Sequence, residues 1–378
     1  MIPLSVPNLT GNEWEYVKEC LDTNWVSSVG SYVNKFEEMA ASFSSVKKAV
    51  ATSNGTASLH ISLLLAGVKQ GDLVVLPDIT FVAPANVIKY MGADPVLIDV
   101  NIDTWQMDID LLRQFLESQC ALSGTECYHK ETGRRVSAVI PVHVLGNMVD
   151  MDALLPLSKE YGLKVIEDAT EALGSTYRGK PAGSMGLFGC LSYNGNKIIT
   201  TGGGGMILTN NDILGNKAKH LTTQAKADHL EYFHDEIGYN YRLVNILAAI
   251  GVAQMEQLPA FISRKKEIGQ LYNEGLRDLE GFAPQIITAN VDANYWLYTA
   301  RFSRAKELLL YLNTNSIQTR PFWVPMHRLP AFCNDIYFQF NDISEDVYAN
   351  CLSLPCSTNI SNEQIEKVIF NIKKFYAS

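Results

Sequence analysis

Short branched-apolar runs alternate with helix-patterned stretches from about residue 50 onward, and this alternation leaves the chain few possible architectures. Residues 46–51, 73–76, 96–99, 136–142 and 163–166 read as strands. Gly55–Leu65, between the first two, reads as a helix whose start carries Ser, Asn and Thr. Strands that are apolar on both faces must be covered on both faces, which predicts an open, mostly parallel α/β sheet. Hydrophobic residues at 47% against 19% charged supply the interior this requires and exclude bulk disorder. Ligands of such sheets gather at the carboxyl ends of the strands.

The 378 residues exceed one domain of roughly 100–200 residues. Residues 1–245 are expected to form the large α/β domain. Within it, a polar stretch at 118–135 with Gly124, Gly133 and two cysteines reads as an inserted surface hairpin. Residues 245–273 have a helical period around Pro259 and open the second unit, 246–378, a smaller α+β domain. A net charge of −9 argues against nucleic acid, which calls for a basic face. No uninterrupted apolar run approaches the roughly 20 residues of a membrane span, so no membrane partner is expected. Residues 1–10 lack the basic start and apolar middle of a signal peptide, and a cytoplasmic location is the expectation. Seven cysteines, an odd number, fit reduced thiols. Cys120, Cys127, His129 and His143 lack the paired spacing of a zinc clip, and no metal is expected.

Four segments carry chemistry. Ser53-Asn54-Gly55-Thr56-Ala57-Ser58 joins a strand to a helix, where free N–H groups and a hydroxyl can receive a phosphate. An ordinary N-cap has the same composition. Val165-Ile166-Glu167-Asp168 ends an apolar strand on an acid that can meet a pyridinium nitrogen, although loop chemistry also places Asp there. Lys197 follows Ser192 by five residues and precedes four glycines, 202–205, which allow close backbone approach. A lysine able to lose its proton there can form a Schiff base. Gly238-Tyr239-Asn240-Tyr241-Arg242 precedes the long helix and alone reads as a loop. A phosphate cradle, a pyridinium partner and a Schiff-base lysine together meet the requirements of pyridoxal 5'-phosphate.

At these residues the chain resembles the fold-type I pyridoxal-phosphate sugar aminotransferases of the DegT/DnrJ/EryC/StrS family. The resemblance runs from Pro3-Leu4-Ser5-Val6-Pro7 to Leu354-Pro355 and implies an aspartate aminotransferase-like fold. It makes Lys197 the cofactor-bearing lysine and proton carrier, and Asp168 the partner of the pyridine nitrogen. It places Gly55, Thr56, Ala57 and Ser192 around the phosphate, Phe81 on the ring, and Glu171 near the ring's 3'-oxygen, where many relatives have His or Gln. Asn240 is implied to reach the phosphate of a partner subunit's cofactor, so a homodimer with shared sites is expected.

Asn194 stands where many relatives carry His. With Asn294-Tyr295-Trp296-Leu297, it makes the chain similar to 4-aminotransferases of nucleotide-linked 2-acetamido-4-keto-6-deoxyhexoses in the bacillosamine and legionaminic acid routes. That likeness implies a UDP-linked sugar as substrate, L-glutamate as donor, and a substrate-binding set of Trp25, Ser27, Asn194, Arg242, Arg320 and His327. Core packing and capping are equal readings for Trp25 and Ser27, and a structural loop histidine is an equal reading for His327. A C3 or perosamine-type sugar aminotransferase and a non-catalytic cofactor-binding regulator are the alternatives. A sugar dehydratase of this family would carry histidine in place of Lys197.

Overall fold

The structure is a computed structural model, and it describes residues 1–228 and 230–377. The expected sheet forms. β1 (Lys48–Thr52), β2 (Leu73–Pro77) and β3 (Asp94–Ile98) join five further strands in the order β1, Gly205–Thr209, Phe188–Ser192, Lys164–Asp168, Arg135–Val139, β2, β3, Ile336–Phe338. All pairs are parallel except those made by Gly205–Thr209, which runs antiparallel to both neighbours. The central strands are buried along nearly their whole length, because helices cover both faces.

The predicted insertion is a hairpin, Cys120–Ser123 and Glu126–His129, whose second strand pairs with Arg135–Val139 at Cys127–Val136. It therefore extends the large sheet. His143 lies apart from the hairpin's thiols, bonded through Nε2 to Glu167 at 3.0 Å.

The long helix, Asn245–Leu276, packs against α1 (Glu13–Asp22) and α2 (Ser31–Phe43) at its start and near the C-terminal helix Asn362–Ala377 at its end. By length and composition this one helix could cross a membrane, but half of its most apolar window is buried against the rest of the fold. A second hydrophobic cluster joins its C-terminal half to a four-stranded antiparallel sheet, Phe282–Pro284, Tyr298–Phe302, Cys351–Leu354 and Arg320–Pro321.

The expected division at 245/246 is crossed twice. Ile336–Phe338, from the C-terminal third, pairs in parallel with β3 and closes the edge of the large sheet. Ile2, at the other end, bridges Ile317 and is buried in the second cluster. Both exchanges cover surface that either unit alone would leave open: a sheet edge in one case, the side of a small core in the other.

Candidate active site

The carboxyl ends of β1, Lys164–Asp168 and Phe188–Ser192 open on one cavity of about 420 Å³, a size suited to a cofactor with part of a substrate. α3 (Gly55–Leu65) points its N-terminus into it. Asn54 caps this helix, its side chain accepting the Ala57 N–H at 2.8 Å. Asn54 also accepts the Ser58 N–H through its carbonyl, so the amides of Gly55 and Thr56 are left for a ligand. Ala57, expected to hold the phosphate, does not reach the cavity: it is buried and its amide is used by the cap. Gly55 packs so tightly that a Cβ there would meet Ser192 Cβ at 3.0 Å and Thr170 Cγ2 at 3.2 Å. This brings Ser192 to the same helix end.

Asp168 lies at the end of its strand, 3% exposed, and accepts the Thr170 N–H at 3.1 Å. Burial pushes its pKa up, with the Thr170 hydrogen bonds and the nearby Lys197 charge opposing. Among the described residues no cation forms an ion pair with it; Lys197 pairs instead with Glu171, Nζ to Oε1 at 3.7 Å. Glu171 is also buried, and its Oε2 accepts the Leu145 N–H at 2.8 Å. Burial raises its pKa to about 7 against the pull of Lys197. Leu145 holds a left-handed conformation, φ +63°, uncommon for a branched side chain and found here at the wall of the cavity.

Trp296, inside the Asn294-Tyr295-Trp296-Leu297 motif, is a lining residue whose role the sequence does not disclose. Its ring lies under Lys197 Nζ, 4.0 Å from nitrogen to ring centre, and its indole N–H donates to the Asn196 carbonyl at 2.7 Å. A cation over an indole face is attracted by the ring quadrupole, so this tryptophan aims the lysine. Trp323 stacks nearly parallel to it, with ring centres 6.4 Å apart. Thr80 is a second lining residue that went unassigned. No local pattern distinguishes either from core aromatics and loop threonines.

Phe81, Asn194 and Arg320 line the cavity as well. Four expected substrate residues do not. Trp25 and Ser27 serve through their carbonyls, which accept from the side chain and backbone N–H of Asn245 at 2.7 and 2.6 Å. Arg242 donates to the Ser28 carbonyl at 2.8 Å. His327 is bound to Asp78, outside the cavity wall. Asn240 is exposed beside Thr223 and does not line the cavity of its own chain.

The donor set fits pyridoxal 5'-phosphate: two helix-end amides with a serine hydroxyl for the phosphate, a buried carboxylate with no cation of its own for the pyridinium, and an amine between them. Comparison with known proteins agrees. Residues 7–373 match the model of the DegT/DnrJ/EryC1/StrS aminotransferase family. The GDP-perosamine synthase of Escherichia coli O157:H7 is 39% identical, covering 100% of this chain and 99% of that protein. The putative pyridoxal phosphate-dependent aminotransferase EpsN of Bacillus subtilis (strain 168) is also 39% identical, over 97% of this chain and 94% of EpsN. Among solved structures, the aminotransferase TlmJ of Streptoalloteichus hindustanus superposes with a TM-score of 0.90 at 28% identity, covering 100% of this chain and 99% of TlmJ. With a fold, a site and a whole-length match in agreement, the chain belongs to the DegT/DnrJ/EryC1/StrS family of pyridoxal phosphate-dependent sugar aminotransferases.

Proposed function

We propose that this protein moves the amino group of L-glutamate to the C4 ketone of a GDP-linked 4-keto-6-deoxyhexose, giving a perosamine-type 4-amino sugar nucleotide and 2-oxoglutarate. The meeting of Lys197, Asp168 and the α3 N-terminus in one cavity carries the aminotransferase part of this reading. The whole-length likeness to a GDP-perosamine synthase supports the sugar, in preference to the UDP-linked 2-acetamido substrate that the local motifs suggested.

Bound pyridoxal phosphate supplies an electrophilic carbon for amines and a ring that withdraws electrons from the bond being broken. Lys197 Nζ would hold it, and the same amine is placed to take the donor's α-proton and return it one position away. Asp168, kept from water, would hold the ring nitrogen protonated. Gly55, Thr56 and Ser192 would hold the phosphate at the α3 N-terminus, in the same cavity as Lys197. Phe81, on the cavity wall, would cover the ring. Glu171, with a pKa near neutrality, can exchange a proton beside Lys197 Nζ. Lys197 would move the proton in the opposite sense when the sugar ketone is the acceptor, and ping-pong kinetics are the expectation.

The test is incubation of holoenzyme with L-glutamate and, in parallel, GDP-linked 4-keto-6-deoxymannose or UDP-linked 2-acetamido-4-keto-2,6-dideoxyglucose. NMR of the products should show a C4 amine on the GDP sugar. Amination of the UDP sugar alone returns the assignment to the 2-acetamido class.

A further inference from the structure

We propose that His327 is a positioning residue, whose Nδ1–H to Asp78 clasps the wall that holds Arg320 and Trp323 against the cofactor side of the cavity. This rests on the sugar aminotransferase reading above.

The two walls come from distant parts of the chain. Thr80, Phe81, Ala83 and Pro84 follow β2, while Arg320 and Pro321 belong to the small antiparallel sheet and Phe322 and Trp323 follow them. Asp78 and His327 lie just behind each wall, two residues before Thr80 and four after Trp323. Asp78 is wholly buried and binds the second segment at three points. Its carbonyl accepts the Met326 N–H at 2.7 Å. Its Oδ1 accepts the His327 N–H at 2.9 Å, and its Oδ2 accepts the imidazole Nδ1–H at 2.7 Å. Its own N–H donates to the Ile98 carbonyl at 2.8 Å, which ties this side to the sheet.

The imidazole is held from its other side too. Tyr337 stacks on it with ring centres 4.3 Å apart and planes within 9°. Nε2 faces Glu345 Oε1 at 3.3 Å, and Glu345 is shared with Arg328 at 3.2 Å. Both ring nitrogens are therefore engaged inside the protein. A histidine that touched substrate would keep one of them for the cavity. A carboxylate buried this completely needs its donors, and removing them would leave it stranded, so the two segments are held together in one geometry.

Because the Asp78 side is anchored to the sheet, loosening the clasp lets the Arg320–Trp323 wall shift while the cofactor side stays. Misplacement of a wall by about 1 Å can cost two orders of magnitude in a positioned reaction. Two amides separate the roles of the ring nitrogens: Asn places its NH₂ where Nδ1 sits, and Gln where Nε2 sits. Holoenzyme of His327→Asn should keep the KM for the nucleotide sugar within about twofold of wild type, whereas His327→Gln should raise it about tenfold. Both should bleach the cofactor's absorbance on adding glutamate at nearly the wild-type rate.

Amide hydrogen exchange over residues 320–328 reads the clasp without turnover, and should be faster in His327→Gln than in His327→Asn. The reverse order of the two variants, an unchanged KM in both, or equal exchange would overturn the clasp. A wild-type holoenzyme that does not respond to glutamate would instead sink the aminotransferase reading, with the exchange comparison still deciding the clasp.

Discussion

At the scale of single residues, reactivity here depends on burial as much as on identity. Lys197→Ala should fold and bind pyridoxal phosphate loosely, yet lose transamination by about 1,000-fold or more, because attachment and proton transfer vanish together. Borohydride reduction of the wild-type holoenzyme followed by peptide mapping should label Lys197, and a label on another lysine would move the assignment. Asp168→Asn should keep the cavity's shape and lose activity on the order of 100-fold, since a neutral amide cannot stabilise a protonated ring nitrogen. Near-native turnover would remove Asp168 from the mechanism. Glu171 gives a pH prediction. Its folded pKa, about 7, lies above its ordinary value of 4.5, so the folded cofactor-free protein binds the extra proton between those limits. Stability from this group is full below about pH 4.5 and falls as pH rises through 7. Glu171→Gln should flatten that slope and stabilise the cofactor-free protein at pH 8 by about 3–4 kcal/mol, at about 1.4 kcal/mol per pKa unit. Denaturant titrations at pH 5 and pH 8 measure it.

At the scale of elements, the four glycines after Lys197 do different things. Gly202 takes φ +80°, which favours glycine, in open space. Gly205 has an ordinary backbone but sits on the antiparallel strand against the start of α3, where a Cβ would fall 2.5 Å from the Asn54 carbonyl carbon and 2.7 Å from Gly55 N. Those are backbone atoms, so the helix end itself would have to move. Gly205→Ala should therefore cost about 1–3 kcal/mol of stability and weaken retention of pyridoxal phosphate on dialysis at least tenfold. Unchanged retention would mean that the phosphate is not held at the α3 N-terminus. The glycine run was visible in the sequence, but the strand that opposes each glycine was not. Likewise Asn54 reads as a cap from sequence alone, whereas its use of the Ala57 amide, leaving Gly55 and Thr56 to the ligand, needs the folded helix start.

At the scale of the whole molecule, one chain does not bring Asn240 to its own cavity, and the neighbouring segment exposes Leu230, Tyr232, Phe233 and Ile237 at 92%, 69%, 59% and 84%. Apolar side chains this bare call for a cover, and a two-fold dimer is the commonest way to supply one. Asn240 of the partner subunit would then complete each phosphate site. Mixing inactive Lys197→Ala with a severely impaired Asn240→Ala variant, under conditions that exchange subunits, should restore activity. One site of each heterodimer would carry both lesions and the other neither. No recovery despite verified exchange would place each site within a single chain.

The sequence by itself pointed to the layered α/β sheet, because short apolar strands alternating with helical stretches are covered by those helices on both faces. It also singled out Lys197, Asp168 and the α3 start as candidates for one site, because residue type and chain-local spacing are legible there. Only the tertiary structure decided which side chains converge. It brought Trp296 beneath Lys197 and turned His327 away from the cavity to Asp78, and it took residues 336–338 out of the C-terminal unit to edge the large sheet. Each of these is a contact between segments more than 90 residues apart, and such contacts are selected by the burial of the whole core, which no local pattern records.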